Sequence, residues 1–533
     1  MSDIGGIRWE RVGQVVAGQG SPSFLEVLVL LDPGVEIRPG EYCMAEIDHG
    51  FYGILRVRNA IEVNPYENPS HAHLRRIINI PHMSPGTNLP RRYVVAYTEP
   101  VGELRIEGPD NVTYGPPQKL IPAGCVVYKM SGSVLAKVLG YSVPDDRALH
   151  IGYLYGTNEP VKLNAFEVLP RHILIVGTTG SGKTYLLGVI VEEICKLKLF
   201  SVVNIDFHGD FIKAAGELNG INLRAGKELT VRFRYLEEPE LLSILPYMHE
   251  LHRDIVLEAF RELKEADRDF SIDDLLRKMD EVGRRLGASD HSIHLAKTRV
   301  ASLKRSRIIG RGIDWEKMLE PGKFVNIDCR GLTHSELQVL VGALSRELLA
   351  LRRESVIPPI VFAVDEAHLF IPRKEEGAGV QVLREAILFG RHYLFCLILV
   401  TQSPMDIDGR IIRITNTRFI FALEPDQLAA IKGVFADAPK EFIDMIPKLE
   451  RGVCLITGSR ETVRHAHFVK VRERHTTHGG ATPDVKAVVN RWLERRRAHS
   501  PYEGEATGKL SGMHGENKDD KRRYRYGIER FLR

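Results

Sequence analysis

RHILIVGTTGSGKTYLLGVIVEEICK, residues 171 to 196, changes character twice within 26 residues. Ile173 to Val176 is a short apolar run of the kind that makes a buried strand. Gly177 to Thr184 is rich in glycine and hydroxyls. Tyr185 onward is apolar and helix-forming. The middle part fits GxxxxGK[ST]. Glycines allow successive backbone N–H groups to point inward around an anion, and the N-terminus of the following helix adds positive potential. The spacing therefore predicts a site for the phosphates of a nucleotide, lined by Gly177, Thr178, Thr179, Gly180, Ser181, Gly182, Lys183, Thr184 and Tyr185. Lys183 would reach the β- and γ-phosphates, and the Thr184 hydroxyl would ligate Mg²⁺. A glycine- and serine-rich loop arising by chance would not need a strand before it and a helix after it.

Further mostly apolar runs follow, several of them separated by helix-length segments: SVVNID (201–206), KFVNID (323–328), PIVFAVD (359–365), FCLILVT (395–401), RFIFAL (418–423) and GVCLIT (452–457). Such alternation predicts an α/β core with a mostly parallel sheet covered on both faces. Between about 236 and 320 the strand pattern stops. SIDDLLRKMDEVGRRLG (271–287) opens with Ser271 and carries Asp274 three residues on, a helix-start signal, so an inserted helical subdomain is expected. Residues 1–150 read differently. Phe24 to Leu31 and Tyr52 to Val57 are rich in β-branched and aromatic residues with turn signals between them, which predicts a small closed β-barrel. The stretch 64–92, rich in Pro, Asn and His, reads as a long excursion from it. His71 and His73 within it lack a Cys or carboxylate at ligand spacing. The expected organisation is a barrel domain over 1–150, a nucleotide-binding core over 151–472, and a polar C-terminal segment with a basic tail over 473–533.

The bulk numbers agree with this plan. A chain of 533 residues is too long for one ordinary domain. Its longest apolar run, Leu394 to Val400, is far short of the ~20 residues that span a membrane, and MSDIGGIRWE has no secretory pattern. Six cysteines stand singly, with no CxxC pair. That spacing predicts a reducing, cytoplasmic setting without zinc or disulfides. A net charge of +4 permits nucleic-acid binding without demanding it.

PIVFAVDEAH (359–368) adds chemistry to the phosphate site. It is a hydrophobic strand ending in two adjacent carboxylates. Asp365 suits Mg²⁺; Glu366, one residue on and aimed elsewhere, suits a water molecule. Hydrolysis needs a group to orient or deprotonate that water, and a small-molecule kinase does not. The stretch AILFGRHYLFCLILVTQSP (386–404) then falls into place. Its strand ends on Thr401-Gln402, and open α/β sheets bind ligands at strand C-terminal ends, so Gln402 is expected near the γ-phosphate. Arg391 lies at the other end of the same strand, and Arg171 at the same remote edge beside the phosphate-loop strand. At ~3.3 Å per residue both are too far from their own chain's site, but each can serve the site of an adjacent subunit. A surface arginine held in a salt bridge is the plainer reading of each.

Together these motifs resemble the HerA branch of the FtsK/HerA superfamily of ring-shaped DNA-pumping ATPases. The residues that carry the resemblance are IGYLYGTNEPVKLNAFEVLPRHILIVGTTGSGKTY (151–185), NIDFHGDF (204–211), VDEAHLFIP (364–372) and GRHYLFCLILVTQSP (390–404). NIDFHGDF is similar to that family's DPHGEY, with Phe207 for Pro and Asp210 for Glu. Ser403 and Leu388 stand where the family has arginine, and His392 where it has lysine. The resemblance implies a RecA-like P-loop ATPase core, an N-terminal barrel like the HAS-barrel, and ATP and Mg²⁺ as nucleotide and cofactor. It implies a homo-oligomer, a hexamer, that moves along double-stranded DNA. It also implies a NurA-like nuclease bound at the barrel, work beside the double-strand-break resection machinery in homologous recombination, and a C-terminal segment that braces neighbouring subunits. On it, Lys183, Glu366, Gln402, Arg391 and Arg171 are the expected catalytic set.

A ring motor needs cations that grip phosphates without reading bases. Arg373 and Lys374, just past the Asp-Glu strand, are one candidate group; Lys304, Arg305 and Arg307, expected on the last inserted helix, are another. A solvated charged face explains either equally well. The tail's KRRYRY (521–526) interleaves cations with tyrosines, as single-strand binders do. The main alternative to a motor is a nucleotide-gated clamp that assembles and regulates a nuclease. A membrane-tethered DNA pump lacks its membrane segment, and a small-molecule kinase would leave the remote arginines without a role.

Overall fold

The computed structural model describes residues 2–4, 7–18, 20–63, 93–107, 112–266, 269–373, 378–435, 438–479, 489, 490, 492 and 494. His71, His73, Lys374 and the KRRYRY tail lie outside the described residues. The chain divides into a unit spanning Met1–Gly480 and a second spanning Ala481–Arg533. Among the described residues no helix is long and apolar enough to cross a membrane.

The N-terminal strands alternate their side chains, and that alternation builds the barrel. Strands β1 (Arg11–Val16), β2 (Val27–Leu31), β3 (Tyr42–Asp48), β4 (Phe51–Val63), β5 (Tyr93–Ile106), β6 (Val112–Gly115) and β7 (Val126–Lys129) pair antiparallel in the order β2-β1-β7-β3-β4-β5-β6. A β2–β5 pairing closes six of them into a barrel, leaving β6 on its outside. Val27, Val29 and Leu31, with Cys43, Ala45, Leu55 and Val57, fill its interior. Their alternate neighbours Tyr42, Met44, Tyr52 and Ile54 are buried outside it, in the core shared with the rest of the molecule. One wall of the barrel is thus apolar on both faces, and the second face seats it on the large sheet that follows.

That sheet has eleven strands: β8 (Ala148–Leu154), β9 (Pro160–Asn164), β10 (Ile173–Val176), β11 (Ser201–Asp206), β12 (Ile221–Arg224), β13 (Phe324–Asp328), β14 (Ile360–Val364), β15 (Phe395–Thr401), β16 (Thr417–Ile420), β17 (Val453–Gly458) and β18 (His467–Val471). Their order is β9-β8-β18-β17-β16-β10-β15-β14-β11-β13-β12. From β16 to β12 every pairing is parallel; the strands from β17 to β9 add an antiparallel extension. β10, β11, β14 and β15 are buried throughout, as their continuous apolar sequences require. The phosphate-loop strand β10 lies between β15 and β16, with Val176 opposite Thr401 and Ile420.

Helices cover the sheet: α1 (Lys183–Leu197), then in the insertion α2 (Glu250–Glu265), α3 (Ile272–Arg285) and α4 (Asp290–Ala301), then α5 (His334–Arg353) and α6 (Ala378–Tyr393). The insertion leaves and returns through two short paired strands, Val231–Arg232 and Ile309–Gly310. Its core includes Ile255, Phe260, Leu275, Met279, Val282 and Ile293. Ser271 and Asp274 form the reciprocal cap at the start of α3, a device worth about 1 kcal/mol.

Candidate nucleotide-hydrolysis site

The helix α1 begins on Lys183, so its free N–H groups face the loop between β10 and α1. Two backbone facts require glycine here. Gly182 sits at φ +122°. A Cβ on Gly177 would lie 2.6 Å from both the Phe421 Cβ and the Ser181 Oγ. The loop is braced from both flanking strands: Gly177 N–H donates to the Thr401 carbonyl at 3.3 Å, Thr178 N–H to Ala422 at 2.8 Å, and Gly452 N–H to Ser181 at 2.9 Å. Lys183 Nζ donates to the Thr178 carbonyl at 3.0 Å. Burial draws this ammonium below its usual pKa, while Asp365 and Glu366 pull the other way. Tyr185, half-buried one residue past Thr184, uses its hydroxyl to accept the Arg474 N–H at 2.7 Å.

The strand ends bring the remaining groups to this loop. Asp365 follows β14 directly, and its carboxyl accepts the Glu366 N–H at 2.9 Å. Burial, reinforced by the neighbouring Glu366, pushes it up to about 7. Glu366 turns aside in a left-handed backbone, φ +50°. Its Oε2 is buried and has no hydrogen-bond partner among the described residues. Gln402, just past β15, accepts the Thr179 hydroxyl at 2.6 Å, so strand end and phosphate loop are joined. Asp206, at the end of β11, accepts the N–H groups of Gly209, Asp210 and Phe211 at 2.7 to 3.0 Å. This folds the HGDF turn over the site. His208 in that turn lies 3.9 Å from Glu366.

These donors suit a magnesium nucleotide. Among the described residues no group of three or more His, Cys, Asp or Glu side chains could cage an ion. Mg²⁺ does not need such a cage: it takes one or two protein oxygens and completes its shell with water and phosphate. Thr184 and Asp365 offer hard oxygens of that kind, and a carboxyl lifted by burial is one that a cation would hold ionised.

The two expected remote arginines differ. Arg391 is in the last turn of α6, at the far end of β15 from Gln402, ~20 Å by strand rise. It is exposed, and no side-chain partner is recorded for it among the described residues. The helix runs on to Tyr393, further than the sequence indicated, and Leu394 ends it at φ +54°. Gly390 permits the tight return, because a Cβ there would lie 2.4 Å from the Phe395 carbonyl. Arg171, by contrast, has a side chain only 10% exposed, paired with Glu167 and, at 3.0 Å, with Glu461. Its charge is taken up within its own chain. Of the cations considered for DNA, Lys304 pairs with Asp273, and Arg307 makes a two-pronged bond to Glu336 at 2.7 and 2.9 Å. Arg305 and Arg373 are exposed, with no side-chain partner recorded among the described residues.

Several contributors were not singled out in the sequence. His172 clips the sheet to α6: its Nδ1 accepts the Leu397 N–H at 3.0 Å, and its Nε2 donates to the Ile387 carbonyl at 3.0 Å. Burial pushes its pKa down to about 4, so it stays neutral. Residues 472–479 form a strap across α1. Arg472 pairs with Glu192 at 2.9 Å and with Glu193 at 2.8 Å, all three buried. Glu192 also accepts from His475 and Thr476 at 2.7 to 3.0 Å. Gly479 N–H reaches Asp210 at 3.1 Å. The only sequence signal for the strap was a run of polar residues after the last strand.

Residues 149–348 match the family described as "Helicase HerA, central domain". A curated relative, the "DNA double-strand break repair helicase HerA" of Pyrococcus furiosus, is 23% identical over 90% of this chain and 96% of its own. The protein of the same name from Sulfolobus acidocaldarius is 24% identical over 71% of this chain and 79% of its own. Among solved structures, VirB4 of Thermoanaerobacter pseudethanolicus matches with a TM-score of 0.49 at 13% identity, covering 62% of this chain and 98% of that one.

Proposed function

We propose, on the premise that this chain is a HerA-type P-loop ATPase, that it works as a ring-shaped motor on double-stranded DNA. In this reading each hydrolysis site is completed at a seam between two copies. One copy holds the triphosphate on Gly177–Tyr185. Lys183 bridges the β- and γ-phosphates, Glu366 orients the attacking water, and Gln402 contacts the γ-phosphate. Mg²⁺, held by Thr184 and Asp365, would neutralise phosphate charge. The next copy supplies Arg391 to the charge that develops in the transition state, an effect worth roughly 10³ to 10⁵ in rate.

The observation that carries this reading is Arg391 itself: an exposed guanidinium, without a side-chain partner among the described residues, at the sheet edge opposite the phosphate loop. Arg171 beside it has two carboxylates of its own, so the trans role falls first to Arg391. The relatives' printed names point to double-strand-break repair. By that likeness we assign the chain to DNA end processing, and we add as part of the proposal a NurA-like nuclease docked on the barrel. Arg373 and Arg305 are the most available of the cations considered for the DNA phosphates.

The test is ATP turnover with and without linear duplex DNA. A motor predicts acceleration of about tenfold or more when duplex is added, since contact with the track assembles the seams. Slow turnover indifferent to DNA would reject the motor and favour a nucleotide-gated clamp.

A further inference from the structure

Glu366, the group assigned above to the attacking water, is held in an unusual way. Its backbone is at φ +50°, ψ +46°, a left-handed conformation that a glutamate keeps only when its surroundings impose it. Its Oε2 is buried without a hydrogen-bond partner among the described residues, an arrangement that is costly for a carboxylate to keep.

A donor stands close by. His368 Nδ1 is 3.4 Å from that oxygen. The same nitrogen is 3.2 Å from the Thr401 hydroxyl, at the end of the neighbouring strand. Thr401 Oγ1 already accepts the Ser403 N–H at 3.0 Å, and the adjacent Gln402 is bonded to Thr179 of the phosphate loop. One imidazole nitrogen therefore lies between the carboxylate at one strand end and the strand end that touches the phosphate loop. His208 approaches the other carboxylate oxygen at 3.9 Å, but its side chain is 54% exposed against 19% for His368. A carboxylate can only accept, and the Thr401 oxygen has a lone pair left, so a proton on Nδ1 can serve either partner.

We propose that His368 is a positioning residue for hydrolysis: its Nδ1–H aims the Glu366 carboxylate and couples that aim to Thr401-Gln402. This rests on the reading of Glu366 as the water-orienting group. The consequence is a local interlock. When the γ-phosphate engages Gln402, the Thr401-Gln402 strand end shifts and His368 donates to Glu366 instead of Thr401. Water is then oriented only when the phosphate is seated. His368 touches neither phosphate nor water in this scheme; it acts through Glu366.

The experiment is steady-state ATP hydrolysis by the full chain carrying H368A, H368N or H368F, with E366Q beside them and nucleotide affinity read by fluorescent ADP. Asn can place an N–H near the Nδ1 position, whereas Phe keeps the ring without a donor. We expect H368A and H368F to lower kcat about tenfold or more, with KM and ADP affinity within about twofold, because misaiming a group costs rate rather than binding. H368N should remain within about threefold of the unaltered chain. A loss confined to KM, or H368F as active as H368N, overturns the proposal. If E366Q is inactive while H368F turns over normally, the role of His368 alone falls. If E366Q hydrolyses ATP at the normal rate, the reading of Glu366 falls first and takes this one with it.

Discussion

At the scale of single residues, the molecule places ionisable groups where burial sets their behaviour. Glu347 on α5 is 1% exposed, and its Oε1 lies 3.4 Å from the Arg232 guanidinium. Burial outweighs that cation and lifts the carboxyl from 4.5 to about 7. In the fold Glu347 keeps its proton up to near neutral pH; unfolded, it loses it near 4.5. Its contribution therefore favours folding at low pH, and roughly 3 kcal/mol is lost as pH rises between those values. E347Q removes the titration. It should melt several degrees above the unaltered chain at pH 8 and nearly level with it at pH 5; parallel melting curves at both pH values would contradict the assignment. The residues most legible in the sequence were those whose chemistry depends on local spacing. GTTGSGKT and the Asp365-Glu366 pair each lie within one loop, and in the structure the two loops adjoin. His172 and His368 were not legible, because the meaning of each lies in a partner on another strand: Leu397 for one, Thr401 for the other.

At the scale of elements, the phosphate-loop helix is pinned from two sides. Its start is fixed by the loop's bonds to the residues around β15, β16 and β17. Its middle is pinned by the strap. The Arg474 guanidinium lies flat on Gly188, where a Cβ would come within 2.2 Å of its Cζ, and 5.3 Å from the centroid of the Phe211 ring. Against the upward push of burial, hydrogen bonds from Thr476, His475 and Arg472 hold the Glu192 carboxyl below its usual range. R472A would take the nearest cation from buried Glu192 and Glu193, leaving them only the longer pairs with Arg474 at 3.8 Å and Lys196 at 3.9 Å, a loss of about 3 kcal/mol. The expected result is a melting temperature several degrees lower, and an unchanged melt would show that the strap does not hold α1. The sheet strands were readable from their apolar runs, and α3 from its cap. The strap was not, because its bonds to Glu192 and Glu193 join residues about 280 apart and are made by polar side chains without periodicity.

At the scale of the whole molecule, the barrel and the ATPase sheet share one core. Tyr42, Met44, Tyr52 and Ile54 of the barrel pack in the same cluster as Ile173 and Ile190 of the phosphate-loop strand and helix. Polar contacts add to it: Arg56 donates to the Ala466 carbonyl at 2.9 Å, and Arg58 pairs with Glu441 at 2.7 Å. A partner seated on the barrel would thus be carried on the same body as the phosphate loop. The barrel could be foreseen because small barrels announce themselves by short alternating strands. Its seating on the eleven-stranded sheet could not, since the outward faces of β3 and β4 look like ordinary strand residues until the second layer is known.

The central claim is that the hydrolysis site is shared between copies, with Lys183 from one and Arg391 from the next. The most direct test mixes two inactive variants, K183A and R391A, and measures ATP turnover. In an equimolar random ring, half of the subunits bring an intact phosphate loop and half of those face an intact arginine, so turnover should return to about a quarter of the unaltered level. A mixture no more active than its separate components would contradict the shared site.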